Sequence, residues 1–176
     1  MTKNSIALIG FMATGKTTLG KALSKYLGEG YKFLETDEII IKEAKKSIPR
    51  IFEEDGEEKF REYESSTCEK VSKFNKVILS CGGGIVLNKA NIDKIKQNYY
   101  IVLLRATIEE IYNRAMKDGK EARPLINKAD PKKEIIEILK LRSQHYNNAA
   151  EIVINTSGKK IKDLINEIIT KTLVKT

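Results

Sequence analysis

The sequence predicts a three-layer α/β domain, a five-stranded parallel sheet with helices on both faces. Three observations predict it. Five short apolar runs carry continuous Val, Ile and Leu rather than alternation, as strands covered on both faces do. Helical patterns separate the runs, which is the βαβ signature of a parallel sheet. The first run leads directly into Gly10-Phe11-Met12-Ala13-Thr14-Gly15-Lys16-Thr17-Thr18, a G-x-x-x-x-G-K-[ST] loop between strand and helix. The 176 residues show no linker and no internal repeat, so one domain over 1–176 is expected.

Ile6–Ile9 is the first strand, and the loop after it defines a ligand class. Inward-facing backbone N–H groups of such a P-loop surround phosphate oxygens. Gly10 and Gly15 allow backbone angles and a close approach that a Cβ would block. Lys16 can reach the β/γ-phosphates, and the Thr17 hydroxyl can ligate Mg²⁺. Leu19, Ala22, Leu23, Tyr26 and Leu27 then share one face of a helix. Its N-terminal end adds positive potential at the phosphates.

Lys32–Leu34 is the second strand, followed by Glu35-Thr36-Asp37-Glu38. Ligands of open α/β sheets bind outside the carboxyl ends of strands, so these acids face the P-loop across a cleft. Asp37 can orient an attacking hydroxyl or take its proton, and Glu35 can hold Mg²⁺ through water. A competing reading makes Asp37 or Thr36 the cap of a helix starting near Ile39. Local sequence does not separate the two. Arg61, within Glu57–Glu64, reads most simply as a surface residue paired with Glu57 at i, i+4.

Val77–Ser80, the third strand, runs through Cys81 into Gly82-Gly83-Gly84. Three glycines there let bare backbone approach a ligand and offer N–H donors, whereas a turn needs only one. Tyr100–Leu104 is the fourth strand. Lys117–Pro131 is polar and punctuated by turn residues, and its Arg123 can swing over the phosphates as part of a closing loop. In the next helix Ile135, Ile138, Leu139, Arg142 and Tyr146 form one stripe. A guanidinium on that inward face needs an internal partner or an anionic ligand. His145, the single histidine, reads as a helix-surface residue. Glu151–Ile154 is the fifth strand. Ile161, Leu164, Ile165, Ile168, Ile169 and Leu173 stripe the last helix.

The net charge of +8 raises the question of nucleic acid. No run of five basic residues occurs, and aromatics are not interleaved with arginines, so nucleic acid is not an expected partner. Anion binding is a better use of the excess. Cys68 and Cys81 lack metal-ligand spacing and suit a reducing, cytoplasmic location. No apolar stretch approaches membrane-spanning length and no signal peptide is evident.

Together these residues resemble the shikimate kinase family. The likeness covers most of the chain in order. It runs from Gly-Phe-Met-x-x-Gly-Lys-Thr-Thr at 10–18 and the acidic pair at 35 and 37, through Ile51-Phe52, Gly56-Glu57, Phe60-Arg61 and Glu64. The triple glycine at 82–84, Arg123-Pro124-Leu125 and Leu141-Arg142-x-x-x-Tyr146 complete it. The P-loop is shared by many kinases; Phe-Arg-x-x-Glu, the triple glycine and Arg-Pro-Leu are more specific.

The resemblance implies a P-loop kinase fold of the nucleoside-monophosphate-kinase type, strand order 2-3-1-4-5. It implies ATP-dependent phosphorylation of the 3-hydroxyl of shikimate, with ATP and Mg²⁺, in aromatic amino-acid biosynthesis. By that likeness Asp37 contacts the reacting hydroxyl, and Arg61 and Arg142 grip the substrate carboxylate. Gly82, Gly83 and Gly84 contact shikimate through backbone. Lys16 and Arg123 handle phosphates, Thr17 holds Mg²⁺, and Arg114 lies against adenine. Gly10, Ala13, Thr14, Gly15 and Thr18 complete the nucleotide site. The acceptor region spans about 33–62, the lid about 113–128, and a monomer is expected. The chain departs from the family where Glu35 replaces the usual Asp, and where Ala13 and Thr14 fill variable P-loop positions. On the residues alone, a kinase of another hydroxylated acid such as gluconate, or a non-catalytic nucleotide-binding module, also stands.

Overall fold

The computed structural model describes residues 3–117 and 129–173. Its sheet has five parallel strands: β1 (Ser5–Ile9), β2 (Lys32–Glu35), β3 (Val77–Ser80), β4 (Tyr99–Arg105) and β5 (Ile152–Asn155). Their order is β2-β3-β1-β4-β5. Helices α1 (Lys16–Leu27), α2 (Thr36–Ala44), α3 (Ile48–Glu54), α4 (Gly56–Val71) and α5 (Lys89–Lys96) fill the first half of the chain. Then come α6 (Ile108–Lys117), α7 (Pro131–Ala149) and α8 (Ile161–Leu173).

The side-chain period of two sorts each central strand onto two cores. Ala7, Ile9, Leu79, Ile101 and Leu103 point to one face, against Cys68 and Val71 of α4, Ile92 and Ile95 of α5, and Tyr146 and Ala149 of α7. Ile6, Leu8, Ile78, Val102 and Leu104 point to the other, against Leu19 and Leu23 of α1 and Leu164, Ile165 and Ile168 of α8. Those two layers of helix leave the strand ends open, and the connections there build the site.

Three sequence readings change. Only β1, β3 and most of β4 are buried throughout; β2 and β5 are edge strands with exposed positions, and Val153 is 42% exposed. An apolar run cannot reveal which strands end up at an edge. Tyr26 is exposed, because the buried face of α1 centres on Leu19, Gly20, Leu23 and Ser24. Helix α2 begins at Thr36, immediately after β2, and not near Ile39; no side chain caps it. Asp37 therefore sits in its first turn, where the helix dipole favours a carboxylate.

Ile101 lies at the centre of β4 with no exposure, so Ile101→Ala should cost about 2–5 kcal/mol. A fall in the urea midpoint at unchanged m-value checks this.

Candidate active site

Strand order sets the site. With β3 between β2 and β1, the P-loop after β1, the glycines after β3 and Asp37 after β2 emerge side by side at the carboxyl edge. They enclose a cleft of ≈ 620 Å³ lined by P-loop residues 12, 13 and 15–18, Glu35, Asp37, Ser80–Gly83, Arg114 and Lys117.

The P-loop has the backbone an anion nest needs. Gly10 has φ +141°, and a Cβ there would lie 2.5 Å from the Leu104 carbonyl oxygen. Gly15, φ +98°, is the left-handed residue that starts α1. Ala13 adopts φ +58° without being glycine. The Lys16 ammonium donates to the carbonyls of Gly10 at 2.9 Å and Phe11 at 2.8 Å, which holds it over the loop. The Thr17 hydroxyl donates to Glu35 Oε1 at 2.6 Å. Among the described residues no three His, Cys, Asp or Glu side chains converge on one point. Nucleotide-bound Mg²⁺ needs no such cage, since it keeps waters and phosphate oxygens and takes one or two protein ligands. Thr17 and Glu35 supply hard oxygen donors of that kind.

Across the cleft the packing is tight. The Gly82 N–H donates to Thr36 Oγ1 at 2.8 Å. A Cβ on Gly82 would lie 2.5 Å from Asp37 Oδ1 and 3.6 Å from Glu64 Oε1, so two carboxyl groups flank this glycine. Burial pushes the Asp37 carboxyl above its usual range; nearby Lys16 and a hydrogen bond from Thr36 oppose the shift, while Glu35 and Glu38 add to it. Glu64 is likewise raised by burial, with Arg61 opposing. The Gly82 amide, expected as a donor to ligand, is thus engaged by Thr36; what the glycine provides is room for Asp37.

Both arginines reach this wall. Arg61 Nη1 donates to Glu64 Oε2 at 2.5 Å and Nη2 to Glu57 Oε1 at 2.9 Å. A Cβ on Gly84 would lie 2.6 Å from Arg61 Nη1. The i, i+4 pair with Glu57 exists, yet the Glu64 side chain, only 3% exposed, turns the guanidinium towards the glycines. Arg142 Nη1 donates to the Gly83 carbonyl at 3.3 Å, and Tyr146 Oη donates to the same oxygen at 2.6 Å. His145 is exposed on α7. Arg114 pairs with Glu110 at 2.6 Å and lines a second hollow of ≈ 220 Å³ with Thr14, Gly15, Thr18, Thr156 and Lys159. Arg123 and most of the expected lid lie outside the described residues.

Sequence reasoning assigned no role to Glu64, Tyr146, Thr156 or Lys159. Glu64 stands three residues after Arg61, a spacing that signals an ion pair. The contacts of Tyr146 and Thr156 cross between distant segments and leave no local signal, and Lys159 pairs with Glu167 eight residues on.

The sequence pattern of the shikimate kinase family matches residues 12–173. This chain belongs to the shikimate kinase family. It is 39% identical to a shikimate kinase of Caldanaerobacter subterraneus subsp. tengcongensis over 165 residues, 94% of each chain. Its fold matches the shikimate kinase from Acinetobacter baumannii in complex with shikimate at TM-score 0.89 and 31% identity, over 98% of this chain and 94% of that one. A gluconokinase from Sinorhizobium meliloti matches at TM-score 0.60 with 14% identity, over 97% and 92%, and shares the fold alone. As a family member the chain is an enzyme of the kinase class, which removes the reading as a non-catalytic binding module.

Gly82→Ala forces the added methyl onto Asp37, and overpacking of this kind costs about 1–3 kcal/mol. Carried into the site, that corresponds to a fall in kcat of about five- to 150-fold. Steady-state kinetics with a thermal melt checks that the loss is catalytic.

Proposed function

We propose that the cleft moves the γ-phosphate of ATP onto the 3-hydroxyl of shikimate, giving shikimate 3-phosphate and ADP in aromatic amino-acid biosynthesis. The observation that carries the reading is one wall holding a carboxylate and two guanidiniums: Asp37 against Gly82, Arg61 against Gly84 and Arg142 on Gly83. A hydroxylated carboxylic acid needs both, an oxygen acceptor for its hydroxyl and cations for its carboxylate.

Asp37 orients the hydroxyl and receives its proton as the oxygen bonds to the γ-phosphorus and the bridging β–γ oxygen bond breaks. Arg61 and Arg142 bind the carboxylate, and Gly83 and Gly84 shape the acceptor side of the pocket. The P-loop, with Gly10, Ala13, Thr14, Gly15 and Thr18, carries the triphosphate, and Arg114 borders the base. Thr17, with Glu35 through water, would hold Mg²⁺. The ion supplies neutralisation of the phosphate charge when bound. Lys16 and, by family likeness, Arg123 stabilise the spreading charge on the transferring group; positioning and electrostatics carry most of such catalysis. Lys16 must leave the Gly10 and Phe11 carbonyls to do so. The chain acts as one domain, with the acceptor region near 33–62 and a lid near 113–128, as a cytoplasmic monomer. No helix among the described residues is long and apolar enough to cross a membrane.

A coupled ADP-release assay across shikimate, gluconate and nucleoside monophosphates tests the acceptor. Release with shikimate and not the others is expected; preference for gluconate or a nucleotide would replace the reading.

Two variants separate the roles. Asp37→Asn should lower kcat by about a hundredfold or more, as removal of a positioned acid–base group does. Its melting temperature at neutral pH should hold or rise. The raised carboxyl makes the folded state bind its proton more tightly than the unfolded chain, so stability falls as pH rises through the shifted range, and the amide removes that cost. The same shift places the acid limb of wild-type kcat/KM for shikimate above the usual aspartate range, with rate lost as pH falls through it. Arg142→Ala should raise the KM for shikimate and leave the KM for ATP near wild type, because carboxylate binding is shared by ground and transition states.

A further inference from the structure

We propose that Thr156, the residue directly after β5, is a positioning residue for nucleotide binding: its hydroxyl, with Arg114, aims the P-loop backbone at the phosphates from behind. This role presupposes the ATP site proposed above.

Thr156 is 2% exposed. Its Oγ1 lies 3.1 Å from the Thr14 carbonyl oxygen and 3.1 Å from that of Arg105. A hydroxyl has a single proton to donate. Arg105 O is already bonded by the Thr156 backbone N–H at 2.8 Å, so the contact that the hydroxyl adds between segments is the one to Thr14 O. The same Oγ1 accepts from Arg114 Nη1 at 3.3 Å, and that Nη1 is also 3.3 Å from the Ala13 carbonyl oxygen. Glu110 fixes the far side of the guanidinium at 2.6 Å. Two consecutive P-loop carbonyls, Ala13 and Thr14, are therefore held from one side by α6 and by the β5–α8 connection.

A trans peptide points its C=O and its N–H in opposite directions. Holding the Thr14 C=O back turns the Gly15 N–H towards the cleft that Gly15 lines. An anion nest works through N–H groups turned in this way. Ala13 supplies an independent sign. Its φ of +58° is strained for a residue with a Cβ, at a cost of about 1–2 kcal/mol. Such a conformation persists only where its surroundings over-determine it. Arg114 on the Ala13 carbonyl and Thr156 on the Thr14 carbonyl are part of those surroundings, beside the Thr14 hydroxyl bond to Phe11 O at 2.8 Å.

Thr156→Val keeps the shape and removes the hydroxyl; Thr156→Ser keeps the hydroxyl. Titration calorimetry with ADP and with inorganic pyrophosphate, steady-state kinetics and a thermal melt read the result. Thr156→Val should weaken ADP and pyrophosphate by the same factor, about five- to tenfold, the worth of one neutral hydrogen bond. The KM for ATP should rise in proportion and the KM for shikimate should stay near wild type. Thr156→Ser should restore both affinities. Wild-type affinity for both probes in the valine variant, whatever its melting temperature, overturns the assignment and makes Thr156 structural. Weakened ADP with unchanged pyrophosphate also overturns it, because the hydroxyl then acts at the base and not through the loop. Thr156→Ala asks the same question if the valine variant does not fold. Failure of the ATP reading shows separately, as wild-type protein that binds neither probe and releases no ADP with shikimate.

Discussion

The site depends on the absence of a side chain at Gly82. Its N–H is bonded to Thr36, and the space a methyl group would fill is taken by the Asp37 carboxylate. This contact ties the end of β3 to the start of α2. It also fixes the distance between the acid and the P-loop, because β3 pairs with β1 on its other side, through Leu79–Ala7 and Ser80–Leu8. Parallel pairing within one sheet thus carries the relative placement of phosphate donor and acceptor. No loop has to set it.

Electrostatics load this frame with opposed costs. Asp37 is buried, and its ionised form is supported by Lys16 and Thr36. Glu64 is buried beside Arg61, which offsets part of the same penalty. A pair buried on its acidic side contributes little net stability, but losing Arg61 leaves the Glu64 charge buried and uncompensated. Glu64 therefore serves best as the group that holds Arg61 in one orientation against the glycines. The surface pairs, such as Lys89–Asp93 and Lys59–Glu62, are screened and shape nothing in the cleft.

The P-loop, the parallel sheet and the residues at the strand ends were legible because each leaves a local pattern: a fixed spacing, an apolar run, a run of glycines. Strand order came with the family resemblance and not with periodicity. Edge exposure of β2 and β5, and of Tyr26, was not legible, because which face meets a neighbour is decided by tertiary packing. The start of α2 was misplaced by the expectation of a capping side chain, where the chain passes from strand to helix without one. The glycines were read as N–H donors, yet Gly82 spends its amide on Thr36, a partner 46 residues away. Thr156 was invisible for the same reason: its Thr14 contact spans 142 residues.

Phosphoryl transfer to one particular oxygen, the 3-hydroxyl of shikimate, is followed by ³¹P NMR of ATP and shikimate with the enzyme. The expected result is replacement of the γ-phosphorus signal by a single phosphomonoester signal, correlated with the proton on carbon 3, with ADP formed in equal amount. Inorganic phosphate in place of the ester, or an ester on another hydroxyl, would contradict it.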